Sequence, residues 1–241
     1  MTTTEMLRDR LVGTWQRLAR AAEEAGREPG SVRLLLASKT QPVDRVRAAL
    51  EIAAELDIPV LLGENRVQEL VAKAPALADL DPEWHVIGPL QSNKINHALR
   101  WAHAVESVSS LELAERLGSR ALARERTVDV LIQVNVSGEA SKSGVAPGEA
   151  VDLATRVAAV EGLELRGFMT IGAHTDDDDV VRAGFARLRE IRDEVLASGA
   201  PGTDRASELS MGMSGDLELA VAEGATIVRL GTAVFGERPK A

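Results

Sequence analysis

Short apolar runs of strand length alternate with amphipathic helical stretches eight times along this chain, and few folds accept that pattern. The first run is Leu34-Leu35-Leu36-Ala37-Ser38-Lys39. Others follow at 59–63 (PVLLG), 84–88 (WHVIG), 102–106 (AHAVE), 129–136 (DVLIQVNV), 164–171 (ELRGFMTI), 206–211 (ASELSM) and 225–230 (ATIVRL). Such runs are too short for helices, and they read as strands buried on both faces. Helical spacing of apolar residues lies between them, at 43–56, 110–125, 147–160, 180–198 and 215–223, while the helix after the last run is missing or very short. Buried strands alternating with helices pair in parallel, and eight units predict a closed (β/α)8 TIM barrel. An open doubly wound sheet competes, but six strands suffice there and no GxGxxG follows the first strand. Before the barrel, Thr2-Thr3-Thr4-Glu5 offers a capping box. Leu7, Leu11, Trp15, Leu18 and Ala22 mark an amphipathic helix, and Gly26 is its expected stop. With no long Pro/Gly/Ser linker, the expectation is one domain over 1–241, an N-terminal helix over 1–27 and a barrel over 32–238.

Composition removes several chemistries. The 241 residues include no Cys and no Tyr, and the formal net charge is −9. Disulfides, thiolate metal sites and a cysteine nucleophile are excluded, and a phenolic acid or base would have to come from another chain. The acidic balance argues against nucleic acid as a partner. No apolar run reaches the ~18 residues of a membrane span, and MTTTEMLRDR lacks the apolar core of a signal peptide. A soluble, cytoplasmic protein is expected. The four histidines (85, 97, 103, 174) show no HxxxH pairing, so no metal site is expected. Asp176 to Asp179 precede a helical pattern and read as complements to its dipole.

Polar residues collect at the strand C-termini, the catalytic end of a barrel. These ends read Ser38-Lys39-Thr40, Gly63-Glu64-Asn65, Gly88-Pro89 after Trp84-His85, Asn135-Val136-Ser137, Ser210-Met211-Gly212-Met213-Ser214 and Arg229-Leu230-Gly231-Thr232. Lysine is scarce, at 39, 73, 94, 142 and 240 only. Lys73 and Lys240 read as surface positions. Lys39 is delivered to the barrel mouth by an apolar run, where desolvation favours the neutral amine that forms Schiff bases. A lysine snorkelling from a strand end to water is the equal alternative. Gly212 and Ser214 precede a helix expected to start near Gly215, and Gly231-Thr232 adds small residues and a hydroxyl. Together they suggest a phosphate cradle, although Ser214 is also an ordinary N-cap. Arg229 lies inside an apolar strand and needs a carboxylate, a phosphate or a ring nitrogen as partner. A lysine, an arginine and a phosphate cradle in one barrel suggest pyridoxal 5'-phosphate (PLP).

The segments ASKTQP (37–42), GENRVQE (63–69), WHVIGPLQSNK (84–94), QVNVSGEASKSGV (133–145), LRGFMTIGA (165–173) and LSMGMSGDLELAVAEGATIVRLGTAVFGER (209–238) resemble the YggS/PROSC family of PLP homeostasis proteins. That family is similar to the barrel of alanine racemase without its β-rich second domain. The resemblance implies PLP held covalently as an aldimine on Lys39, with Arg229 facing the pyridine nitrogen. It implies that Ser210, Gly212, Ser214, Gly231 and Thr232 surround the phosphate, that Met211 also contacts the cofactor, and that Asn65 and His85 lie near the ring. Lys142 would be a secondary lysine near the mouth. Gln41 stands where relatives often place a second lysine. Racemisation usually takes two bases on opposite faces, alanine racemase using its aldimine Lys and a Tyr; here only His85 could replace the missing tyrosine. An arginine at the pyridine nitrogen also weakens the electron sink. The expectation is a monomeric PLP carrier without robust turnover, with apo PLP-dependent enzymes as recipients. The alternatives are a PLP-dependent racemase or lyase, and an interaction protein whose barrel merely folds.

Overall fold

A computed structural model describes residues 2–139 and 142–236 of the chain. It contains α1 (Thr3–Glu24), β1 (Arg33–Ala37), α2 (Val43–Glu55), β2 (Val60–Glu64), α3 (Val67–Leu77), β3 (Trp84–Val86), α4 (Ile95–Ala98), β4 (Ala102–Val108) and α5 (Leu111–Leu122). The second half contains β5 (Val128–Gln133), α6 (Ala150–Ala158), β6 (Leu163–Met169), α7 (Asp178–Ser198), β7 (Glu208–Ser210), α8 (Leu217–Ala222), β8 (Ile227–Leu230) and α9 (Thr232–Phe235). The eight strands pair in parallel in chain order, and β8 returns to β1 to close the barrel. Each of the eight apolar runs contains most or all of one strand. The helix after β8 is a single turn, as its weak pattern suggested.

Strand alternation divides the apolar residues in two. Leu34 and Leu36 of β1, Leu62 of β2, Trp84 and Val86 of β3, and Val228 and Leu230 of β8 face the helices in one large core. Leu35, Leu61 and Ile227 form a small separate cluster inside the barrel, with Ile87 against it. The remaining inward positions include His85, Glu106, Ser210 and Arg229, all buried. Buried charge on this scale must be paired to be tolerated.

The N-terminal helix starts as its sequence predicts. Thr2 and Glu5 form the reciprocal capping box, and Leu7, Leu11 and Leu18 are fully buried. From this helix Arg17 donates to the carbonyl of Ser214 and pairs with Glu218. Helix α1 thereby fixes the loop between β7 and α8. Asp177 caps α7 by accepting from the N–H groups of Asp179 and Val180, so the acidic tract serves the helix start. Among the described residues, no helix is long and apolar enough to cross a membrane. Lys240 lies outside the described residues.

Candidate functional site

The strand C-termini surround a cavity of about 310 Å³. Ala37 and Lys39 line it from β1 and its following turn, Asn65 and Ile87 from the ends of β2 and β3, and Ile171 from the loop after β6. Met213, Ser214 and Gly215 come from the loop after β7, and Arg229, Gly231 and Thr232 from β8 and the start of α9. Six of the ten sequence-predicted site residues therefore share one cavity: Lys39, Asn65, Ser214, Arg229, Gly231 and Thr232. Its volume falls at the lower end of the ~300–1,000 Å³ usual for small-molecule sites.

The other four lie beneath or behind its wall. His85 is almost fully buried inside the barrel, and both ring nitrogens are engaged. Nδ1 lies 2.6 Å from Glu106 Oε1, and Nε2 lies 3.0 Å from Glu83 Oε1. Ser210 donates its hydroxyl proton to Glu106 Oε2 at 2.5 Å and accepts from Arg229 Nη1 at 2.8 Å. It orients the arginine and does not line the cavity. Met211 points to the opposite face of the sheet and packs in the main core. The apolar neighbour that does reach the cavity is Met213, which is partly exposed. Gly212 supports the backbone here. Its φ is +94°, its carbonyl accepts from the Arg229 N–H, and a Cβ would come within 2.5 Å of the Ala220 Cβ.

Helix α8 starts at Leu217 with Asp216 as its N-cap, later than the sequence suggested, so Ser214 is not the cap. The Ser214 hydroxyl turns instead toward the Thr232 hydroxyl, 3.3 Å away. Two hydroxyls from different loops converge beside Gly231, where a Cβ would lie 3.1 Å from the Ala37 carbonyl oxygen. A side chain at Gly231 would occupy that corner. Gly88 is a second close approach. A Cβ there would meet the Asn65 carbonyl oxygen at 2.3 Å and its Cα at 2.8 Å. Gly88→Ala is expected to cost about 1–3 kcal/mol through overpacking and to displace Asn65 from the cavity wall. Chemical denaturation checks the cost; stability unchanged from the parent would contradict it.

Electrostatically the site rests on a charged column. Arg229 Nη2 donates to the Thr170 carbonyl at 2.6 Å, and its other arm reaches Ser210, then Glu106, His85 and Glu83. Glu83 and Glu208 in turn contact Arg33 at the opposite end of the barrel. Burial alone would lower the His85 pKa, but the carboxylates of Glu106 and Glu83 overcome it and push the imidazole to about 9. Burial alone would raise Glu106; His85, Arg229 and Ser210 outweigh it and hold the carboxyl below the usual range. Burial lowers Arg229 from its ordinary value, yet a guanidinium stays charged. At neutral pH the column balances, with half-exposed Glu83 and buried Glu106 negative and buried His85 and Arg229 positive.

A second polar cluster lies on the outer side of the sheet, beneath the turn that carries Lys39. The Lys73 amine, from α3, donates to the Ser38 carbonyl at 2.7 Å, to Glu64 Oε1 at 2.6 Å and to Glu69 Oε2 at 3.2 Å. Lys73 is buried, which corrects its reading as a surface residue. Ser38 donates its hydroxyl to Glu64 Oε1, and Glu69 Oε2 accepts the Thr40 N–H at 2.7 Å. Burial pushes the Glu64 carboxyl up despite Lys73 and Ser38. Burial would also raise Glu69, but the Thr40 N–H and Lys73 bring it down. Thr40 itself has φ +64°, a left-handed conformation costly for a β-branched residue, of order 1–3 kcal/mol. Sequence reasoning placed Glu64 at a strand end and Lys73 on the surface without a role for either, and missed Glu69 and Glu106. The i,i+4 pair of Glu69 and Lys73 was the one local signal.

Lys142 donates to the Gly172 carbonyl and pairs with Glu139, each at 2.7 Å, and is not among the residues lining the cavity.

Comparison with known proteins gives a consistent family. Residues 14–239 match the family described as the N-terminal domain of alanine racemase. The chain is 47% identical over 225 residues to the pyridoxal phosphate homeostasis protein of Pseudomonas aeruginosa, covering 92% of this chain and 91% of that one. A crystal structure of an unknown protein from Bifidobacterium adolescentis superposes with a TM-score of 0.92 at 48% identity, over 96% of this chain and 95% of that one. The structure of PipY from Synechococcus elongatus with PLP bound superposes with a TM-score of 0.78 at 36% identity, over 91% of this chain and all of that one.

Proposed function

The chain belongs to the alanine racemase N-terminal domain family and, within it, to the pyridoxal phosphate homeostasis proteins, and from that membership we propose that it binds PLP at Lys39 and serves PLP homeostasis without turning over amino acids. The observation that carries the site assignment is the single cavity that unites Lys39, Arg229 and the Ser214–Thr232 hydroxyl pair. These residues fit the cofactor. When bound, PLP supplies an aldehyde and an electron-withdrawing ring. Lys39 would hold it, its amine at the cavity wall being the nucleophile that such an aldehyde requires. Ser214, Gly231 and Thr232 form a corner that would hold the phosphate, and Arg229, which also lines the cavity, would face the ring nitrogen.

Two features favour holding over catalysis. Arg229 stays cationic at the cavity wall and has no acidic proton to give, so a ring nitrogen held against it would stay unprotonated and the ring would be a weak electron sink. The only histidine considered as a second base, His85, has carboxylates on both nitrogens and is buried below the cavity. It holds Glu106 and cannot reach a substrate α-proton. Recipient apoenzymes and a monomeric state remain part of this proposal.

The test is incubation of the purified protein with PLP, followed by assay with a panel of amino acids. The expected result is a yellow protein absorbing near about 420 nm, with racemisation and transamination far below the ~1–10³ s⁻¹ of ordinary enzymes. A protein that stays colourless would instead favour an interaction module. Turnover at ordinary rates would establish a racemase or related enzyme.

A further inference from the structure

We propose that Glu64, Glu69 and Lys73 are positioning residues that hold the turn at 38–40 so that the Lys39 amine faces the cavity. The inference rests on the reading of Lys39 as the amine that takes the PLP aldehyde, and it adds how that amine is aimed.

Both neighbours of Lys39 are tied to this one cluster. On one side, the Ser38 carbonyl accepts from Lys73 and the Ser38 hydroxyl donates to Glu64. On the other side, the Thr40 N–H donates to Glu69. The Ser38 carbonyl also accepts from the Gln41 N–H, which closes the turn. Lys73 contacts all three oxygens that matter: the Ser38 carbonyl, Glu64 Oε1 and Glu69 Oε2.

The local backbone does not favour this turn unaided. Thr40 is held at φ +64°, a region that β-branched residues avoid. Such strain persists where surrounding contacts over-determine it, and here those contacts end on either side of Lys39. The cluster is also costly to bury. Glu64 is fully buried, and its Oε2 atom has no hydrogen-bond partner. A buried ion pair adds little net stability over an apolar pair of similar shape, so it suits orientation better than stability. The cluster's side chains lie between sheet and α3 and do not line the cavity; they meet the turn through the Ser38 carbonyl and hydroxyl and the Thr40 N–H.

The experiment compares wild type with a Lys73→Met/Glu64→Gln double variant, which leaves no uncompensated buried charge. A second pair, Glu69→Ala and Glu69→Gln, alters the partly exposed acceptor that the Thr40 N–H and Lys73 share, and leaves the Lys73–Glu64 pair in place. Each protein is titrated with PLP at the Schiff-base band, and loss of that band to excess competing amine is timed. Melting of each apo protein is recorded alongside. The double variant is expected to bind PLP about 10- to 100-fold more weakly and to release it faster. Glu69→Ala should lose severalfold, and Glu69→Gln, which keeps an acceptor, should recover most of that loss. Folded variants with wild-type affinity and release overturn the proposal, whatever their melting temperatures. If the double variant does not fold, the Glu69 pair decides: an alanine loss with glutamine rescue supports positioning, and equal affinities overturn it. A wild type that forms no Schiff base would instead defeat the underlying reading of Lys39.

Discussion

Lys39→Ala is expected to abolish the absorbance near about 420 nm while leaving a folded barrel. The two effects separate because of where Lys39 sits. Its side chain lines the cavity and is only half-buried, whereas its neighbours Ser38 and Thr40 carry the anchoring contacts. Truncating residue 39 leaves those anchors in place, so unfolding free energy should change by no more than about 1 kcal/mol. Affinity for PLP should fall by about two orders of magnitude or more, which corresponds to about 3 kcal/mol, because noncovalent contacts to phosphate and ring would remain. The stabilisation of wild type by saturating PLP should shrink in step, since a ligand stabilises only in proportion to its preference for the folded state. Titration by absorbance and melting with and without PLP measure both effects. Retention of the band in Lys39→Ala would move the covalent role to another lysine. Lys142 already holds the Gly172 carbonyl and Glu139, and Lys73 is buried on the far side of the sheet.

The barrel was legible because its signal is local. Each strand is a run of apolar residues, and burial on both faces keeps the run continuous, so Leu34–Leu36 or Val128–Ile132 could be read without knowing their partners. The mouth residues Lys39, Arg229 and Thr232 were legible for a related reason: a polar side chain at the end of such a run has few bland explanations. The groups beneath them were not. Glu106 and Ser210 are 104 residues apart, and His85 lies 21 residues before Glu106. No periodicity encodes such pairs, because what joins them is closure of the barrel. Lys73 was misread for the opposite reason. It lies on an amphipathic helix where a lysine is normally exposed, and its burial follows from Glu64, nine residues earlier at the end of β2, which packing of α3 against the sheet sets beneath it. Met211 and Met213 show the limit of resolution at strand ends. Two residues apart, they would share one face of a regular strand, but β7 ends at Ser210 and the turn at Gly212, with φ +94°, sends Met211 to the core and Met213 to the cavity.

His85→Leu tests the charged column and should be the most destabilising single change considered. The substitution removes a cation that sits 2.6 Å from Glu106 in a fully buried setting. Losing one partner of a buried pair leaves an uncompensated charge and typically costs about 3–5 kcal/mol. Arg229 and Ser210 still face Glu106, which places the expectation toward the lower part of that range. The same pair predicts a pH dependence with a definite sign. The folded-state pKa of His85 is raised from 6.5 to about 9. The folded protein therefore holds a proton that the unfolded chain releases between those values. The stabilisation is fully present below about pH 6.5 and is lost as pH rises through about 9. Its size is of order 3 kcal/mol by the conversion of about 1.4 kcal/mol per pKa unit. Glu106 works in the other direction: its lowered pKa gives stability present above the ordinary carboxylate range and lost as pH falls. Denaturant unfolding of the apo protein at a series of pH values should show wild type weakening from pH 6.5 to 9.5. His85→Leu should start lower and vary less across that interval. Equal slopes for the two proteins would mean that His85 is already neutral in the barrel. Arg229 would then be the buried cation facing Glu106, and its hold on that carboxylate would compete directly with its role at the mouth.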